Sequence, residues 1–224
     1  MSQKRVLHAS LFAFLFLFSA YGQDDSRSQK IIDDMAAKFK SYRSVSLKFS
    51  VIITQLQDKS ETEQEGKIWV KGDKYKLEAP DYTLYFDGSK VYQYLPGARE
   101  VNITKPDPDE TDEDFRLLNP QTYFHLSSKS FKSRLIKESI RDNRKAYEID
   151  LYPIQLKTTK YSRIRMMVEK STLQLVHLKV FLKDGSQYAL SFKPYDVLQT
   201  ALRDSFFTFN TIEHPDVEVI DLTF

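Results

Sequence analysis

The sequence predicts a mainly β protein of the α+β class: an unclosed antiparallel β-barrel of about eleven strands with a helical lid over its concave face. Apolar and polar residues alternate with the two-residue period of a strand through 45–104, and the same pattern returns through 130–193. A sheet of that many strands must curl or close, because large flat sheets are rare. Few stretches have helical spacing, so we expect a few short helices to cover the concave side.

The N-terminal residues have the pattern of a cleavable export signal. Lys4 and Arg5 precede an apolar run over 11–18, which is too short to span a bilayer, and a cleavage point is predicted after Gly22. We therefore expect residues 1–22 to be a cleaved secretory signal peptide and residues 23–224 to form a single domain. The expected location is the periplasm, with an uncleaved anchor as the alternative.

The composition restricts the partners of the chain. It contains no cysteine, which excludes disulfides, thiol chemistry and a lipid anchor on cysteine. The formal net charge of +2 equals the contribution of Lys4 and Arg5, so the mature chain would be neutral. A balanced surface without a basic stripe argues against nucleic-acid binding and against tight electrostatic binding to anionic membranes. We expect a monomer without cofactors.

A helix is predicted at the start of the mature chain. Ser26 or Ser28 would cap it, and it would end near Tyr42. Its apolar side has helical spacing and consists of Ile31, Ile32, Met35, Ala36 and Phe39.

Six short strands are predicted next. A polar turn at 58–65 separates the first two, and Asp87-Gly88 and Pro96-Gly97 mark later turns. The predicted strands are 45–56, 66–71, 74–79, 82–87, 90–95 and 99–104.

The alternation stops at an acidic segment over 106–114, which we interpret as a solvated loop, with a docking loop as the functional alternative. Asn119-Pro120 then predicts a helix start, and Tyr123 and Phe124 give that helix an apolar side. Asp184-Gly185 predicts a hairpin turn. Five further strands are predicted over 130–140, 145–152, 163–169, 173–183 and 186–193, before a closing segment rich in Phe and Val.

Candidate catalytic and metal-binding groups do not cluster in the sequence. His125, His177 and His214 have no metal-ligand spacing, and no serine beside them forms a nucleophile motif. We interpret them as ordinary polar or half-buried residues. A pair of carboxylates of the glycosidase kind could still be present among the many acids, so a secreted hydrolase is the third hypothesis.

Aromatic side chains are the remaining signal. The chain has 13 tyrosines and 16 phenylalanines, and many of them occur on the predicted strands. They could form the solid core of a β protein or line a partly open hollow that binds an apolar ligand, and both interpretations stay open. The aromatic residues expected on the alternating faces are Phe49, Tyr75, Tyr85, Phe86, Tyr92, Tyr94, Phe181 and Phe192.

Several of these segments together resemble a known family. The stretch Gly66–Lys71 reads Gly-Lys-Ile-Trp-Val-Lys, and Asp87–Tyr94 contains the pattern Asp-Gly-x-x-Val-Tyr. The closing segments Phe206–Phe209 and Asp216–Ile220 complete the likeness, which covers essentially the whole mature chain in order. The sequence is similar to LolA, the family of periplasmic outer-membrane lipoprotein carriers.

The resemblance implies an unclosed eleven-stranded barrel with a lid of helices and no catalysis. Such proteins take the acyl chains of a lipoprotein from an inner-membrane ATP-driven exporter and deliver them to an outer-membrane acceptor. By this resemblance, the lipid-binding wall would consist of Leu47, Phe49, Val51, Ile68, Val70, Tyr75, Leu77 and Val91. The lid would consist of Ile32, Met35, Phe39, Leu117, Leu118 and Phe124, which would move aside for acyl chains.

One position departs from the family pattern. The carriers typically have an arginine directly after the Trp-Val-Lys group, where it hydrogen-bonds the lid closed, and this chain has Gly72 there. The alternative hypothesis is therefore a sensor or binding module of the same fold, which would hold a lipid or a protein segment without carrying cargo.

Overall fold

A large curled sheet dominates the computed structural model, which describes residues 19–106, 121–124, 126 and 128–223. The first half of the sheet contains β1 (Val45–Thr54), β2 (Glu61–Lys71), β3 (Lys74–Glu78), β4 (Thr83–Phe86), β5 (Val91–Leu95) and β6 (Glu100–Thr104). The second half contains β7 (Phe131–Arg141), β8 (Arg144–Pro153), β9 (Tyr161–Glu169), β10 (Leu175–Leu182), β11 (Gln187–Phe192), β12 (Asp196–Val197) and β13 (Glu218–Asp221). The helices are α1 (Ser19–Lys40) and α2 (Gln121–Phe124), with 3₁₀ turns at Ser128–Ser130 and Asp204–Phe207.

The strand order shows how the two halves of the chain meet. The order is β13-β6-β5-β4-β3-β2-β1-β11-β10-β9-β8-β7, and the short β12 continues the ladder of β11 along β1. All pairs are antiparallel except β13 with β6. Strand β1 joins the halves, because it pairs with β2 on one side and with β11 on the other. Among the described residues β7 and β13 do not pair with each other, so the barrel is unclosed.

The predicted antiparallel sheet is confirmed, with 13 strands rather than about eleven. The two additional strands, β12 and β13, lie in the closing segment and are too short for alternation to be recognised. The polar turn predicted at 58–65 is wrong in its second half. Glu61–Glu65 are exposed but belong to β2, since they pair with Ser50–Thr54 of β1.

Helix α1 is longer than predicted, because its described part already begins at Ser19. The prediction that Ser28 or Ser26 caps the helix is therefore wrong. Ser28 is buried inside the helix, where its hydroxyl donates to the carbonyl oxygen of Asp25 at 2.9 Å. The helix ends at Lys40, close to the predicted end near Tyr42.

Several sequence predictions lie outside the described residues. They concern the acidic segment over 107–114, the helix start at Asn119-Pro120, and the lid residues Leu117 and Leu118. His125 is also outside. Within the described ranges, no helix is both long enough and apolar enough to cross a membrane.

The two faces of the sheet have different chemistry. The inner face and α1 share one apolar core, which includes Phe49, Tyr75 and Phe192. The expectation that the strand aromatics share this core is wrong for four of them, because neighbouring strand residues point to opposite faces. Tyr85, Tyr92, Tyr94 and Phe181 lie on the outer face. There Tyr85 and Tyr94 contact Phe209, Tyr92 donates a hydrogen bond to Asp87, and Phe181 lies under the guanidinium group of Arg163.

The C-terminal segment covers the outer face of β3–β6. The rings of Trp69 and Phe206 meet edge to face at 5.7 Å between centroids, and Phe209 meets Tyr85 at 6.0 Å. Phe207 of this segment is completely buried, and so is Val101 of β6, which lies opposite Tyr94. The outer face therefore has its own small aromatic core, which is separate from the one that α1 covers.

An ion-pair network occupies the outer face of β8 and β9. Asp150 is 1% exposed and accepts hydrogen bonds from Nε and Nη2 of Arg165 at 2.6 and 2.8 Å, and from Nη1 of Arg163 at 3.1 Å. Burial raises the pKa of Asp150, but the hydrogen bond from Arg165 and the charges of both arginines outweigh it and lower the pKa overall. This part of the outer face is thus polar and unsuited to lipid.

His177 is the histidine whose titration the fold changes most clearly. It lies half-buried on β10, with Nδ1 at 3.1 Å from the hydroxyl oxygen of Ser191. Burial lowers its pKa to about 4, and the nearby charges of Arg141 and Lys179 act in the same direction, with Asp142 opposing them. Its neutral form is therefore the one that the folded protein favours.

We predict that the free energy of unfolding falls as the pH drops from about 6.5 to about 4, since the unfolded chain binds a proton on His177 that the folded chain excludes. One such proton changes the free energy of unfolding by at most about 1.4 kcal/mol per pH unit. Urea unfolding of the wild type and of His177→Gln across this pH range measures how steeply this free energy depends on pH. Equal slopes in the two proteins would contradict the prediction.

Candidate functional site

The predicted lipid-binding wall lies on the inner face of the first half of the sheet. Seven of its eight residues are 7% exposed or less and belong to the same apolar core, and Val91 is half-buried against that core. Strand pairing places these residues side by side: Leu47 lies opposite Ile68, and Ile68 lies opposite Leu77. The structure thus brings together all residues of the predicted wall: Leu47, Phe49, Val51, Ile68, Val70, Tyr75, Leu77 and Val91.

The close pairing of Phe49 with Gly66 shapes this wall. The two residues lie opposite each other in β1 and β2, and the Phe49 ring lies across the glycine. A Cβ atom at position 66 would lie 2.6 Å from Cζ of Phe49 and 2.8 Å from the carbonyl oxygen of Glu78. The absence of a side chain at Gly66 therefore lets the ring lie close against the sheet.

The lid contacts the wall through aromatic stacking. Ile32, Met35 and Phe39 lie on the face of α1 that is buried, and Phe124 of α2 is also buried. The Phe39 and Phe124 rings stack with 4.3 Å between centroids and 12° between planes. Phe124 also contacts Phe192 of β11 at 5.7 Å. The two helices therefore meet each other over the sheet, as the resemblance implies for a lid.

The sequence reasoning missed the second half of the wall. Strands β8–β11 contribute inner-face residues that are as deeply buried as those of β1–β3. Their two-residue alternation was visible in the sequence and could have identified them. They are Ile149, Leu151, Ile164, Met166, Leu178, Val180, Leu190 and Phe192.

Tyr195 is a second residue that sequence reasoning missed. Its ring contacts both Phe39 and Phe124 edge to face, with centroids 6.3 and 5.8 Å apart. Its hydroxyl accepts from the backbone N–H of Leu175 at 3.1 Å and lies 3.2 Å from the carbonyl oxygen of the same residue, to which it donates. Burial of this phenol raises its pKa far above its ordinary value. Tyr195 thus supports the aromatic stack from a fixed position.

Polar contacts fasten α1 to the edge strand β7. The hydroxyls of Ser28 and Ser133 form a buried hydrogen bond of 2.7 Å. Nearer the solvent, Nη2 of Arg27 contacts Oε1 of Glu138 at 2.9 Å, and Nζ of Lys170, in the turn after β9, contacts Oε2 at 2.7 Å. These contacts fix the lid along one edge of the sheet.

Gly72 lies in the turn between β2 and β3 with a φ of +57°. This left-handed conformation suits glycine and is costly for most side chains, which gives a physical reason for glycine at this position. No atom lies within 4 Å of the place where its Cβ would be. Gly72 cannot hydrogen-bond the lid through a side chain, whereas Ser28 and Arg27 of the lid both make polar contacts with β7.

The seam between lid and wall is narrow. A cleft of about 100 Å³ lies beside Phe39, Tyr42, Val70 and Gly72, and one of about 10 Å³ lies between α1 and Tyr195. Both are too small for an acyl chain. Along these clefts, lid side chains occupy the concave face. A cavity of about 710 Å³ lies elsewhere, between the C-terminal segment and the outer face at Lys76.

We predict that Gly66→Ala destabilises the protein by about 1–3 kcal/mol, because the new methyl group would displace the Phe49 ring or the backbone of β3. Gly97→Ala is the matched control, since nothing lies within 4 Å of its Cβ position and its φ is not positive. Chemical unfolding of both variants measures the effect. Equal stability of the two variants would show that the wall accommodates the methyl group at Phe49 without strain.

Several solved structures are similar to this chain. An uncharacterized conserved protein from Thermus thermophilus matches with a TM-score of 0.58 at 10% identity, over 87% of this chain and 99% of its own. A LolA superfamily protein from Nitrosomonas europaea matches with a TM-score of 0.42 at 12% identity, over 81% and 97%. A DUF1329 family protein from Desulfovibrio piger matches with a TM-score of 0.48 at 14% identity, over 83% and 97%. At such identities the similarity concerns the fold alone.

The sequence comparisons give the family. No curated protein matches the chain. The family model described as outer membrane lipoprotein carrier protein LolA matches residues 18–151, which is more than half of the chain. That match includes α1, the first half of the sheet and the predicted wall. The chain therefore belongs to the LolA family of outer membrane lipoprotein carrier proteins.

Proposed function

We propose that this protein is a periplasmic carrier that binds the acyl chains of lipoproteins on its concave face. It would receive them from an inner-membrane ATP-driven exporter and deliver them to an outer-membrane acceptor, after residues 1–22 have directed its export. One observation carries the proposal: the side chains of α1, α2 and the inner face of the sheet form a single apolar cluster. The lid therefore occupies the space that a lipid would need.

Acyl chains would enter by replacing lid side chains on the wall. Ile32, Met35, Phe39 and Phe124 now make the contacts that methylene groups could make instead. Leu117 and Leu118 are assigned to the same lid by the resemblance. Loading replaces one set of apolar contacts with another. The favourable free energy of loading is therefore much smaller than that of burying a free lipid in an empty pocket.

The fastening of the lid is compatible with opening. The buried hydrogen bond between Ser28 and Ser133 contributes about 1 kcal/mol, as a typical internal hydrogen bond does. The contact between Arg27 and Glu138 is exposed and screened by salt. These are contacts that a loading partner can break and that reform when the cargo leaves. The proposal assigns no catalytic step to the chain.

A sensor or binding module of the same fold is the second candidate function, and Gly72 favours it, because the arginine that latches the lid in typical carriers is missing. The two candidates differ in cargo. Mass spectrometry of ligand retained through native purification distinguishes them: a triacylated lipoprotein anchor supports the carrier, and a free lipid or unmodified peptide supports the sensor. Correct sorting of lipoproteins after depletion of the protein would contradict the carrier.

We predict that a disulfide between Ser28→Cys and Ser133→Cys blocks the loading of acylated peptide. The two hydroxyl oxygens are 2.7 Å apart, and the chain has no other cysteine, so oxidation would join α1 to β7 specifically. We expect at least a tenfold loss of binding in the oxidised form, measured by co-elution with a fluorescent acylated peptide.

The reduced double variant is the internal control, and we expect it to bind within about twofold of the wild type, because only one hydrogen bond is lost. The single variant Ser28→Cys controls for the helix substitution itself. Unchanged loading of the oxidised form would show that α1 does not need to leave β7, and the lid mechanism would then be wrong.

A further inference from the structure

Four chain reversals form a continuous rim at one end of the second half of the sheet. They are the β1–β2 turn, the β10–β11 turn, the β8–β9 loop and the 3₁₀ turn before β7, which follow one another in the strand order. Contacts join them. The Leu56 side chain lies against Gly185. Lys183 donates from Nζ to the carbonyl oxygen of Leu156 at 2.5 Å, and the N–H of Ile154 donates to the carbonyl oxygen of Ser130 at 3.2 Å.

Large apolar side chains project from this rim. Leu56 is 58% exposed, Ile154 is 56% exposed and Leu156 is 48% exposed. They come from two separate chain reversals, and both reversals contact the β10–β11 turn, through Gly185 and Lys183. Tyr152, which is 40% exposed on the neighbouring end of β8, donates from its hydroxyl to Oδ2 of Asp150 at 3.3 Å, so we do not count it among the apolar groups of the rim. Clustered exposed apolar groups of this kind mark an interaction surface.

Lysines surround these apolar tips. Asp58 and Asp184 carry opposing charges in the same turns, and each accepts a backbone N–H within its own turn, from Ser60 at 2.9 Å and from Ser186 at 2.8 Å. The lysines on the four reversals outnumber these two acids, so the rim is locally positive although the mature chain as a whole is balanced. Exposed lysines occur on all four reversals, namely Lys59, Lys129, Lys157, Lys160 and Lys183.

We propose that this rim docks the protein on the surface of an anionic lipid bilayer. Leu56, Ile154 and Leu156 would insert at the boundary between headgroups and acyl chains, and the lysines would contact lipid phosphates. Exposed apolar side chains beside lysines match the boundary between acyl chains and anionic headgroups, which offers partners to both kinds of group. Binding by so few groups would be weak and reversible, which agrees with the balanced charge of the mature chain. The proposal does not depend on lipoprotein cargo.

The test is flotation of the exported protein, without cargo, on vesicles of pure phosphatidylglycerol and of pure phosphatidylcholine. We expect binding to phosphatidylglycerol vesicles that weakens with salt, and at least tenfold weaker binding to phosphatidylcholine. The triple variant Leu56→Ser, Ile154→Ser and Leu156→Ser should lose about tenfold in partitioning, since each removed side chain supplied buried apolar area. Lys157→Glu with Lys160→Glu should have a similar effect.

Matched controls come from exposed residues elsewhere. Ile212→Ser removes a side chain that is 87% exposed outside the rim, and Lys48→Glu reverses an exposed charge on β1; both should bind vesicles like the wild type. If the control variants lose as much vesicle binding as the rim variants, the proposal is overturned. It is also overturned if the wild type does not bind phosphatidylglycerol vesicles. A third outcome would also overturn the proposal. If the protein binds native membrane vesicles but not pure lipid, and protease treatment of those vesicles abolishes the binding, the rim would be assigned to a protein partner.

Discussion

A curled sheet with an apolar inner face must be covered, and this requirement governs the rest of the structure. Helix α1 meets it by laying one apolar side on the sheet, and the stacked rings of Phe39 and Phe124 join it to α2 above β11. Polar contacts of Ser28 and Arg27 fasten this cover to β7. Under the proposed function, the same cover is a core in the empty protein and a removable lid for apolar cargo.

The lid side chains on the wall would also limit the free energy of binding acyl chains. Burial of one methylene gains about 0.8 kcal/mol, so about 40 methylenes of three acyl chains would gain about 30 kcal/mol in an empty pocket. That exceeds the practical limit of about 20 kcal/mol for non-covalent binding, and such a cargo would never be released. Here the lid side chains already occupy the wall. Under the proposed function, loading would have to displace them, which would keep the affinity low enough for delivery.

The predicted wall came from the family resemblance, and it agrees with the period-two alternation because cross-strand pairing aligns the apolar residues of β1, β2 and β3 on one face. The outer aromatic layer could not be predicted, since Tyr85 and Phe86 look alike in sequence and only strand orientation separates them. The role of Ser28 was missed for a related reason. A serine near a helix start resembles a cap, and its partner Ser133 is distant in sequence.

The position of the lid beside β7 has a consequence for the open protein. Strand β7 is the last in its sheet and pairs on one side with β8, while α1 lies against it through Ser28 and Arg27. If α1 leaves β7 as proposed, an eleven-residue strand that pairs only with β8 among the described residues is left without its neighbour. Such edges promote self-association. Opening would thus be safest while a loading or unloading partner is bound, and a long-lived open form in free solution would be prone to aggregate.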